Sequence, residues 1–304
     1  MTAQATQKQK AAKELPHSKT VSSLSNPLAN PLESGGFTRS RQQQVRQAAG
    51  RHGRKKLGLF LVEGVRCCGE ALRWRGDHLK FLLFSSGFTD RPEQAALAAL
   101  ARAAGHEPVV VADAEFAKHA ATENPQGVLA LFRAWPEPDA RPVLRDPFAL
   151  VLDRIAEPGN MGTILRTAWG AGLHEVWLTA GGADPFGAKA IRAGMGAQFA
   201  LALREFPDLA AIRQLLAQLG GGRLWCATPA AGVDCFSDAY EVRGGALVIG
   251  NEAEGVRDPR PEERVTIPMP GPAESLNAAQ AATILLFDAV RRGVLGNNLL
   301  KCCS

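Results

Sequence analysis

One arginine, Arg166, occupies a position from which a charged side chain could reach a substrate. A predicted strand ends at Asp153, a Pro-Gly turn follows it, and a helix is expected to begin near Met161. The apolar residues of that helix keep helical spacing and should face a sheet; they are Met161, Ile164, Leu165, Ala168 and Trp169. Arg166 lies off this stripe. It is therefore placed to contact a phosphate or a substrate, or else it is an ordinary solvent-exposed arginine.

Polar residues also follow one of the most apolar stretches in the second half of the chain. That stretch begins at Ala246 and runs directly into Gly250, Asn251 and Glu252. In open α/β sheets, ligands bind beyond the carboxyl ends of strands, and a glycine there lets a ligand approach the backbone closely. The same residues would also serve as a plain turn at the end of a strand.

A stiff, proline-rich loop precedes the last predicted helix. Residues 265–274 contain three prolines and a glycine, and they lead to Ser275, Leu276 and Asn277. Asn277, with Gln280 three residues later, could be a simple capping box. One face of the helix is apolar and consists of Ala278, Ala281, Ala282, Leu285, Leu286, Ala289 and Val290.

The charge of the chain is concentrated in one short stretch near the N-terminus. Seven basic residues and no acidic one occur between Arg39 and Lys56; they are Arg39, Arg41, Arg46, Arg51, Arg54, Lys55 and Lys56. A helix is expected near 39–55. The stretch is either a solvated helix face followed by a basic turn or a patch that neutralises phosphates of a nucleic acid. Charge alone leaves both interpretations open.

Strands alternate with helices along most of the sequence, which predicts an α/β protein of two units. Residues 1–35 are polar and lack hydrophobic periodicity, so a disordered tail is expected there. A first unit is predicted over 36–134 and a second over 147–295. The segment 134–146 is polar and contains three prolines, which suits a linker.

The two units differ in the elements that the sequence predicts. In the first, strands are expected at 57–64, 80–85, 108–112 and 127–134, and helices near 65–74, 92–104 and 113–120. In the second, the apolar runs indicate buried parallel strands with helices on both faces of the sheet. The candidate strands are 148–153, 175–179, 199–203, 223–228, 246–250 and 264–268.

Composition sets broad limits on function. Hydrophobic residues make up 46% and charged residues 21% of the 304 residues, and the formal net charge is +5, as is usual for a globular protein. No apolar run is long enough to span a membrane and no secretory signal is recognisable, so a cytoplasmic protein is expected. The six cysteines fit neither a disulfide framework nor zinc-ligand spacing, and no metal site is expected.

The order of the polar segments resembles a known enzyme family. The segments read Asn160-x-Gly162-x-x-x-Arg166, then Gly250-Asn251-Glu252-x-x-Gly255, then Ile267-Pro268-Met269 leading to Ser275-Leu276-Asn277. They resemble the three signature motifs of the SpoU/TrmH family of the SPOUT superfamily, which comprises RNA 2′-O-ribose methyltransferases. Between the first two, Asp184-Pro185, Lys189 and the run from Arg192 to Gly196 match a lesser pattern of that family.

The resemblance extends to the first unit and has few departures. Residues 60–64 and 124–128 resemble the RNA-binding domain that precedes the catalytic domain in this family. Glu157 stands where the family usually has aspartate, and Ala279 stands where serine is common. The acid at 157 keeps its charge with a longer reach.

The resemblance implies both a fold and a chemistry. The fold would be a C-terminal α/β methyltransferase domain with a trefoil knot, preceded by a small α/β RNA-binding domain. The protein would use S-adenosylmethionine to methylate a ribose 2′-hydroxyl in RNA, and it would work as a homodimer without a metal. Because a separate RNA-binding unit is present, ribosomal RNA is favoured over transfer RNA.

The resemblance also implies roles for individual residues. Arg166 would activate the hydroxyl; because the pKa of arginine is above about 12, stabilisation of the forming alkoxide and contact with a phosphate suit it better than proton abstraction. The residues expected to orient Arg166, the ribose and the donor are Asn160, Glu252, Ser275 and Asn277. Those expected to hold the donor are Thr228, Gly250, Asn251, Ile267, Met269 and Leu276. Those expected to bind RNA are Arg39, Arg41, Arg51, Arg54, Lys55, Lys56, Lys189 and Arg192.

Three other functions are compatible with parts of the sequence. A nicotinamide-dependent oxidoreductase shares the strand, glycine loop and helix, but Gly159-Asn160-Met161-Gly162 does not supply the G-x-G-x-x-G pattern. A non-catalytic RNA-binding protein would need only the basic first unit. A methyltransferase that modifies a base rather than a ribose would use the same donor.

Overall fold

The computed structural model of the protein describes residues 36–135, 144–257 and 259–296. The tail expected over 1–35 lies outside the described residues, and so does most of the segment 134–146 that the sequence suggests as a linker. Within the described ranges, no helix is long and apolar enough to cross a membrane. Two β-sheets organise the structure.

The first sheet is formed by strands from the N-terminal half of the described chain. The strands are β1 (Leu59–Glu63), β2 (Leu79–Ser85), β3 (Val109–Val111) and β4 (Val128–Arg133), and the helices around them are α1 (Arg39–Ala49), α2 (Arg51–Leu57), α3 (Val65–Arg75), α4 (Pro92–Ala103) and α5 (Asp113–Ala117). The strand order is β1-β4-β2-β3. β4 is antiparallel to both of its neighbours, whereas β2 and β3 are parallel.

The basic stretch forms two helices, so the prediction of one helix near 39–55 is wrong. Gly50 ends α1 and precedes α2 with φ −92° and ψ 149°, which is an extended conformation. Glycine is less favourable than alanine in a helix interior by about 1 kcal/mol, so the chain leaves the helix readily at this residue. α1 buries Val45 and Ala48, whereas α2 buries none of its residues.

The second sheet is parallel throughout, as the sequence predicts. Its strands are β5 (Ala149–Leu152), β6 (Glu175–Thr179), β7 (Ala202–Phe206), β8 (Leu224–Ala227), β9 (Val233–Asp234), β10 (Ala246–Ile249) and β11 (Arg264–Thr266), and its helices are α6 (Pro158–Gly170), α7 (Ala188–Gly194), α8 (Ala197–Ala200), α9 (Leu209–Gln218) and α10 (Ala278–Arg291). The strand order is β7-β6-β5-β10-β8-β11-β9. The chain therefore builds outward from β5 in one direction through β6 and β7, and the later strands lie on the other side of β5.

One strand of the second sheet is displaced from its predicted position. The sequence indicates a strand over 199–203, but Phe199 lies in α8 and β7 begins at Ala202. The Phe199 side chain is fully buried against the first sheet. A local apolar run cannot reveal this because the partner of Phe199 is distant in sequence. The short strand β9 was not predicted at all.

Helices cover both faces of the second sheet, as the apolar runs predict. Along β5, Leu150 and Leu152 pack on the side of α6 and α10, whereas Ala149 and Val151 pack on the side of α9. Side chains that alternate between two covered faces leave no face of the strand in water. β5 and β10 are neighbours, and the direction in which successive strands are added to the sheet reverses between them. Open α/β sheets usually bind ligands at the carboxyl ends of the strands at such a point.

The two sheets are joined by an aromatic cluster. Phe60 of β1 lies 4.9 Å from Phe186 and 6.0 Å from Phe199, measured between ring centroids. Trp135, just after β4, contacts Phe186 at 5.2 Å and Phe60 at 5.6 Å. Aromatic contacts of this kind add about 0.5–1.5 kcal/mol per pair beyond area burial. The hydrophobic core of the first sheet thus includes side chains from the segment between β6 and β7.

Two helices of the second sheet touch at their backbones. A Cβ atom placed on Gly162 of α6 would lie 2.2 Å from the carbonyl oxygen of Ala190 and 2.7 Å from the nitrogen of Gly194, both in α7. Real Cβ atoms do not approach other atoms so closely. Glycine at position 162 is therefore required by the distance between α6 and α7, which also fixes how α6 lies on the sheet.

We expect Gly162→Ala to lower the free energy of unfolding by about 1–3 kcal/mol, because the new methyl group forces α6 and α7 apart. Gly170→Ala is the matched control in the same helix. No atom lies within 4 Å of a Cβ at Gly170, so this change should be neutral or stabilising by up to about 1 kcal/mol. Urea unfolding followed by circular dichroism measures both. Equal effects of the two substitutions would contradict the close crossing.

Candidate active site

The helix that carries Arg166 begins earlier than the sequence suggests. α6 starts at Pro158, not near Met161, and Glu157 is its N-cap. A carboxylate oxygen of Glu157 accepts a hydrogen bond from the Gly159 nitrogen at 3.3 Å. Proline is well suited to the first helical position. The Pro-Gly pair therefore belongs to the first turn of the helix and does not form a separate turn before it.

The carboxylate of Glu252 connects two of the three polar segments. It accepts hydrogen bonds from the backbone nitrogens of Ala156 at 2.9 Å and Glu157 at 3.1 Å. It also accepts one from Asn160 Nδ2 at 2.9 Å. Partial burial acts to raise the pKa of Glu252, but the hydrogen bonds from Asn160 and from the backbone outweigh it, and the pKa lies below the ordinary glutamate value. The segment after β10 is thus held against the start of α6 by an ionised carboxylate.

The third segment joins through a pair of amides. Asn277 Nδ2 donates to Asn160 Oδ1 at 3.0 Å. The other amide atom, Asn277 Oδ1, accepts from the backbone nitrogens of Ala279 at 2.9 Å and Gln280 at 3.3 Å. Asn277 is therefore both the N-cap of α10 and a member of the polar network. The two interpretations of Asn277 from the sequence, as a helix cap and as a residue of the site, are therefore compatible.

Asn251 shapes the loop that carries Glu252. Its Nδ2 donates to the carbonyl oxygen of Arg154 at 2.9 Å, and its Oδ1 accepts from the backbone nitrogens of Ala253 and Glu254. Its amide group is thus engaged within the protein, and its backbone N–H and C=O groups pair with Gly255, so both parts of Asn251 shape this loop. A Cβ on the preceding Gly250 would lie 2.3 Å from the Val256 nitrogen. Glycine at 250 is required by this tight loop.

Sequence reasoning did not single out Asp153 and Arg154, which support the same loop. Arg154 has φ 55°, in the left-handed region, and its guanidinium pairs with Asp153 and Glu254. Asp153, almost fully buried, accepts hydrogen bonds from Thr179 Oγ1 at 2.7 Å and from the Arg257 nitrogen at 3.2 Å. An acidic residue directly after a buried strand was the only signal in the sequence for this support.

The residues predicted to hold the donor lie at one edge of the second sheet. Thr228 follows β8, Gly250 follows β10 and Ile267 follows β11, and these strands are parallel neighbours. Met269 and Leu276 lie on the segment that runs from β11 to α10. Their strands end at the same edge because parallel strands share one direction.

That edge has features of a ligand cradle. Thr266 Oγ1 is buried and, among the described residues, has no hydrogen-bond partner. A Cβ on Gly232 would lie 2.6 Å from this same oxygen. Ile267 supplies partly buried apolar surface beside it. Exposed loop backbone, an unused hydroxyl and apolar surface suit a nucleoside-like group such as the adenosyl part of S-adenosylmethionine.

Arg166 and Ser275 do not take part in the hydrogen-bonded network that joins Glu252, Asn160 and Asn277. Both side chains are exposed, and within the described residues neither makes a hydrogen bond or an ion pair. α6 is fixed against α10 close to Arg166, since Thr167 Oγ1 and Thr283 Oγ1 are 3.4 Å apart. The guanidinium thus projects from a rigid helix and is available to a substrate.

The basic residues predicted to bind RNA divide into two groups. Arg54 is mostly buried and pairs with Asp184 at 2.8 Å, while Arg51 donates to the Gly182 carbonyl oxygen at 3.2 Å. These two arginines fasten α2 to the loop before α7. Lys189 forms an ion pair with Glu157, which lowers the pKa of Glu157. The side chains that remain exposed on the surface include Arg39, Lys55, Lys56 and Arg192.

In the described residues, no group of three or more histidine, cysteine, aspartate or glutamate side chains is arranged to hold a metal ion. Four cysteines, at positions 67, 68, 226 and 235, are buried thiols. Burial raises the pKa of Cys67 to about 11 and that of Cys226 to about 12. These thiols are therefore protonated at neutral pH and poor nucleophiles.

Two family models match the chain. Residues 147–287 match the SpoU rRNA Methylase family, and residues 41–130 match the MRM3-like substrate binding domain. The chain is 30% identical over 281 residues to an uncharacterized tRNA/rRNA methyltransferase of Synechocystis, covering 90% of this chain and 94% of that protein. It is also 30% identical over 239 residues to a 23S rRNA guanosine 2′-O-methyltransferase of Bacillus subtilis, covering 77% and 89%.

Solved structures give the same likeness. The SpoU methyltransferase AviRb of Streptomyces viridochromogenes, in complex with AdoMet, is 27% identical with a TM-score of 0.72, and the match covers 84% of this chain and 99% of that one. An AdoMet-bound rRNA methyltransferase of Sinorhizobium meliloti is 28% identical with a TM-score of 0.69, covering 90% and 97%.

We expect Glu252→Gln to lower the free energy of unfolding at pH 7 by on the order of 1 kcal/mol, since it removes charge-assisted hydrogen bonds at a site that solvent can reach. The pKa of Glu252 is lowered in the folded protein. Its contribution is therefore present above the ordinary glutamate pKa of 4.5 and is lost as the pH falls through the lowered value. Urea unfolding at a series of pH values should show the difference between variant and wild type shrinking in acid.

Glu254→Gln is the matched control for this substitution. Glu254 lies in the same loop, but its side chain is 64% exposed and pairs with Arg154 and Arg257, so its loss should lower stability at pH 7 by less than the loss of Glu252. If Glu252→Gln and Glu254→Gln are equally mild, the carboxylate of Glu252 does not hold the segments together.

Proposed function

The chain belongs to the SpoU family of RNA methyltransferases, and from this we propose that it transfers a methyl group from S-adenosylmethionine to a ribose 2′-hydroxyl of ribosomal RNA. The single observation that carries the proposal is the hydrogen-bonded chain from Glu252 through Asn160 to Asn277. It joins the three polar segments at the carboxyl edge of the parallel sheet. Relatives with 23S rRNA 2′-O-methyltransferase names match most of the chain.

The donor site is proposed at the carboxyl ends of β8, β10 and β11. The backbone after these strands, at Thr228, Gly250 and Ile267, would hold the adenosyl group, with Met269 and Leu276 on the closing segment. S-adenosylmethionine supplies an electrophilic methyl group on a positively charged sulfur. The knot that the resemblance implies would be formed by this segment, and it stays a prediction.

Arg166 is proposed to act on the hydroxyl of the substrate. A ribose hydroxyl is a weak nucleophile, so the protein must lower the free energy of the forming alkoxide and align it with the methyl group. A guanidinium stays protonated in proteins. Arg166 would therefore stabilise negative charge on the 2′-oxygen and contact a neighbouring phosphate. Ser275 is exposed near the start of α10 and would help to position the ribose.

RNA binding is proposed for the exposed basic residues of the first half of the structure. Arg39 is the first residue of α1, and Lys55 and Lys56 lie in α2. These residues would contact RNA phosphates and release the counterions bound there. Arg51 and Arg54 would act indirectly, by holding α2 in place. We also propose that the protein works as a homodimer, because the resemblance implies that assembly. The division into units at 36–134 and 147–295 is supported by the two separate sheets and the two family matches.

The donor can be tested by titration calorimetry with the purified protein. S-adenosylmethionine should bind with one site per chain and with the same affinity when EDTA is present, because the proposed contacts are backbone and apolar groups. Nicotinamide dinucleotides serve as the control ligands and should not bind. Binding of the dinucleotides but not of S-adenosylmethionine would contradict the proposed function.

The role of Arg166 can be tested by substitution. Arg166→Ala should lower turnover on ribosomal RNA by about 10²–10³, the scale of losing one donor to a developing oxyanion. Donor affinity and stability should change little, because Arg166 is exposed and lies outside the proposed donor site. Arg166→Lys should recover little activity, since lysine lacks the planar, bidentate fork.

The matched control for Arg166 is Arg102→Ala. Arg102 is exposed on α4 and pairs with Glu107, so its loss removes the same charge away from the site. Turnover of Arg102→Ala should equal that of the wild type. If Arg166→Ala folds, binds the donor and methylates RNA at the wild-type rate, Arg166 has no part in the reaction.

A further inference from the structure

A cavity of about 230 Å³ lies between the first sheet and α7. Its apolar wall includes Val45 of α1, Leu61 of β1 and Ile191 of α7. Two arginines, Arg46 and Arg192, line it from opposite elements, α1 and α7. The space is thus enclosed jointly by the part of the protein assigned to RNA binding and by a helix of the catalytic part.

The charges at this cavity are not balanced. Among the described residues, Arg46 and Arg192 form no ion pair or hydrogen bond, and both are exposed. Arg54 and Lys118 also line the cavity, but Arg54 is paired with Asp184 and Lys118 with Glu115. The acidic residue in the wall, Glu63, already accepts hydrogen bonds from the Ala121 nitrogen and the Thr122 hydroxyl. The cavity therefore offers positive charge to an anionic ligand.

A buried histidine in the wall has an unused nitrogen. The side chain of His119 is 3% exposed. Its Nε2 lies 3.2 Å from Glu115 Oε1, and because a carboxylate only accepts, Nε2 carries a hydrogen there. Nδ1 is buried and, within the described residues, has no partner. A buried polar atom without a partner destabilises the structure, so a ligand that offers an N–H group would be favoured.

We infer that this cavity holds one unpaired nucleotide of the RNA substrate. Arg46 and Arg192 would contact its phosphate, and the base would lie against Val45, Leu61 and Ile191 with an N–H group donating to His119. Proteins that recognise RNA by sequence commonly bind single bases that are splayed out of a loop or bulge. A cavity of about 230 Å³ has room for a single base but not for an RNA helix, and the phosphate would lie at its mouth beside the exposed arginines. The inference rests on the proposed function, since the nucleotide belongs to the RNA to be methylated.

The position of the cavity gives the bound nucleotide a role in placing the RNA on the enzyme. α7 lines it through Ala188, Ile191 and Arg192, and Lys189 of the same helix pairs with Glu157 at the start of α6. Because α7 also touches α6 at Gly162, a nucleotide held in the cavity would lie at a fixed distance from Arg166. It would set which ribose of the RNA reaches the site.

Methyl NMR of the full-length protein tests the inference directly. The four nucleoside 5′-monophosphates, AMP, GMP, CMP and UMP, are titrated separately, and methyl signals are followed at Val45, Leu61, Leu129 and Ile191, which line the cavity. At least one mononucleotide should shift these signals and leave those of Ile212 and Leu216, in α9 and outside both the cavity and the proposed donor edge, unchanged. Absence of shifts at the cavity methyls, or equal shifts with inorganic phosphate alone, would overturn the inference.

Two variants separate the effect of the cavity's shape from the effect of its charge. Ala188→Leu fills the cavity without altering charge and should weaken binding of single-stranded ribosomal RNA fragments by about tenfold, the scale of losing one bound base. Arg46→Ala with Arg192→Ala should lower the log–log salt slope of RNA binding by about one to two. Arg102→Ala is the control and should leave both unchanged. Melting temperature and donor affinity show that each variant is folded.

The outcomes distinguish this inference from the proposed function. If the wild type methylates ribosomal RNA and Ala188→Leu binds mononucleotides and RNA as the wild type does, the cavity inference is overturned and the proposed function stands. If mononucleotides shift the cavity methyls and Ala188→Leu abolishes the shifts, the cavity is a nucleotide site, whether or not methylation is found.

Discussion

The carboxylate of Glu252 is the point at which three distant parts of the chain are held together. It follows β10, but its hydrogen bonds reach the backbone that leads from β5 into α6 and the side chain of Asn160. Asn160 in turn holds the N-cap of α10. A carboxylate that accepts several hydrogen bonds stays ionised and fixes the direction of each donor. The placement of the proposed donor edge and of Arg166 both depend on this one group.

α7 performs the corresponding role between the two sheets. Ile191 is buried in the core of the first sheet, Lys189 pairs with the first turn of α6, and the backbone at Ala190 lies against Gly162. Arg54 adds an ion pair from α2 to the loop before α7. A helix of seven residues thus sets the geometry between the surface proposed to bind RNA and the helix proposed to carry the reaction.

The sequence predicts best where structure is decided locally. β6 occupies the predicted residues, and the buried parallel strands follow from their apolar runs. Predictions fail where a contact with a residue distant in sequence determines the local conformation. Phe199 lies in a helix because the first sheet buries it, and Arg54 pairs with Asp184, 130 residues away, a contact that no local pattern indicates. The order of the motifs predicts Asn160, Glu252 and Asn277 as site residues, but only the structure shows the hydrogen bonds that join them. The roles of Ser275 and of the donor residues stay predictions.

The central position of β10 has a consequence for how the protein is made. β10 lies between β5 and β8, and Asn251, just after it, bonds to Arg154, 97 residues earlier. Until β10 leaves the ribosome, β5 and β8 each have an open edge, and such edges invite pairing with other chains. The four strands of the first sheet are all synthesised by Arg133, and Ile191 and Phe199, which complete their core, also precede β10, so this part can fold first. Insertion of a late strand into the middle of a sheet is a slow, long-range step. In the nascent chain, the surface proposed to bind RNA can thus form before the proposed site of methyl transfer is complete.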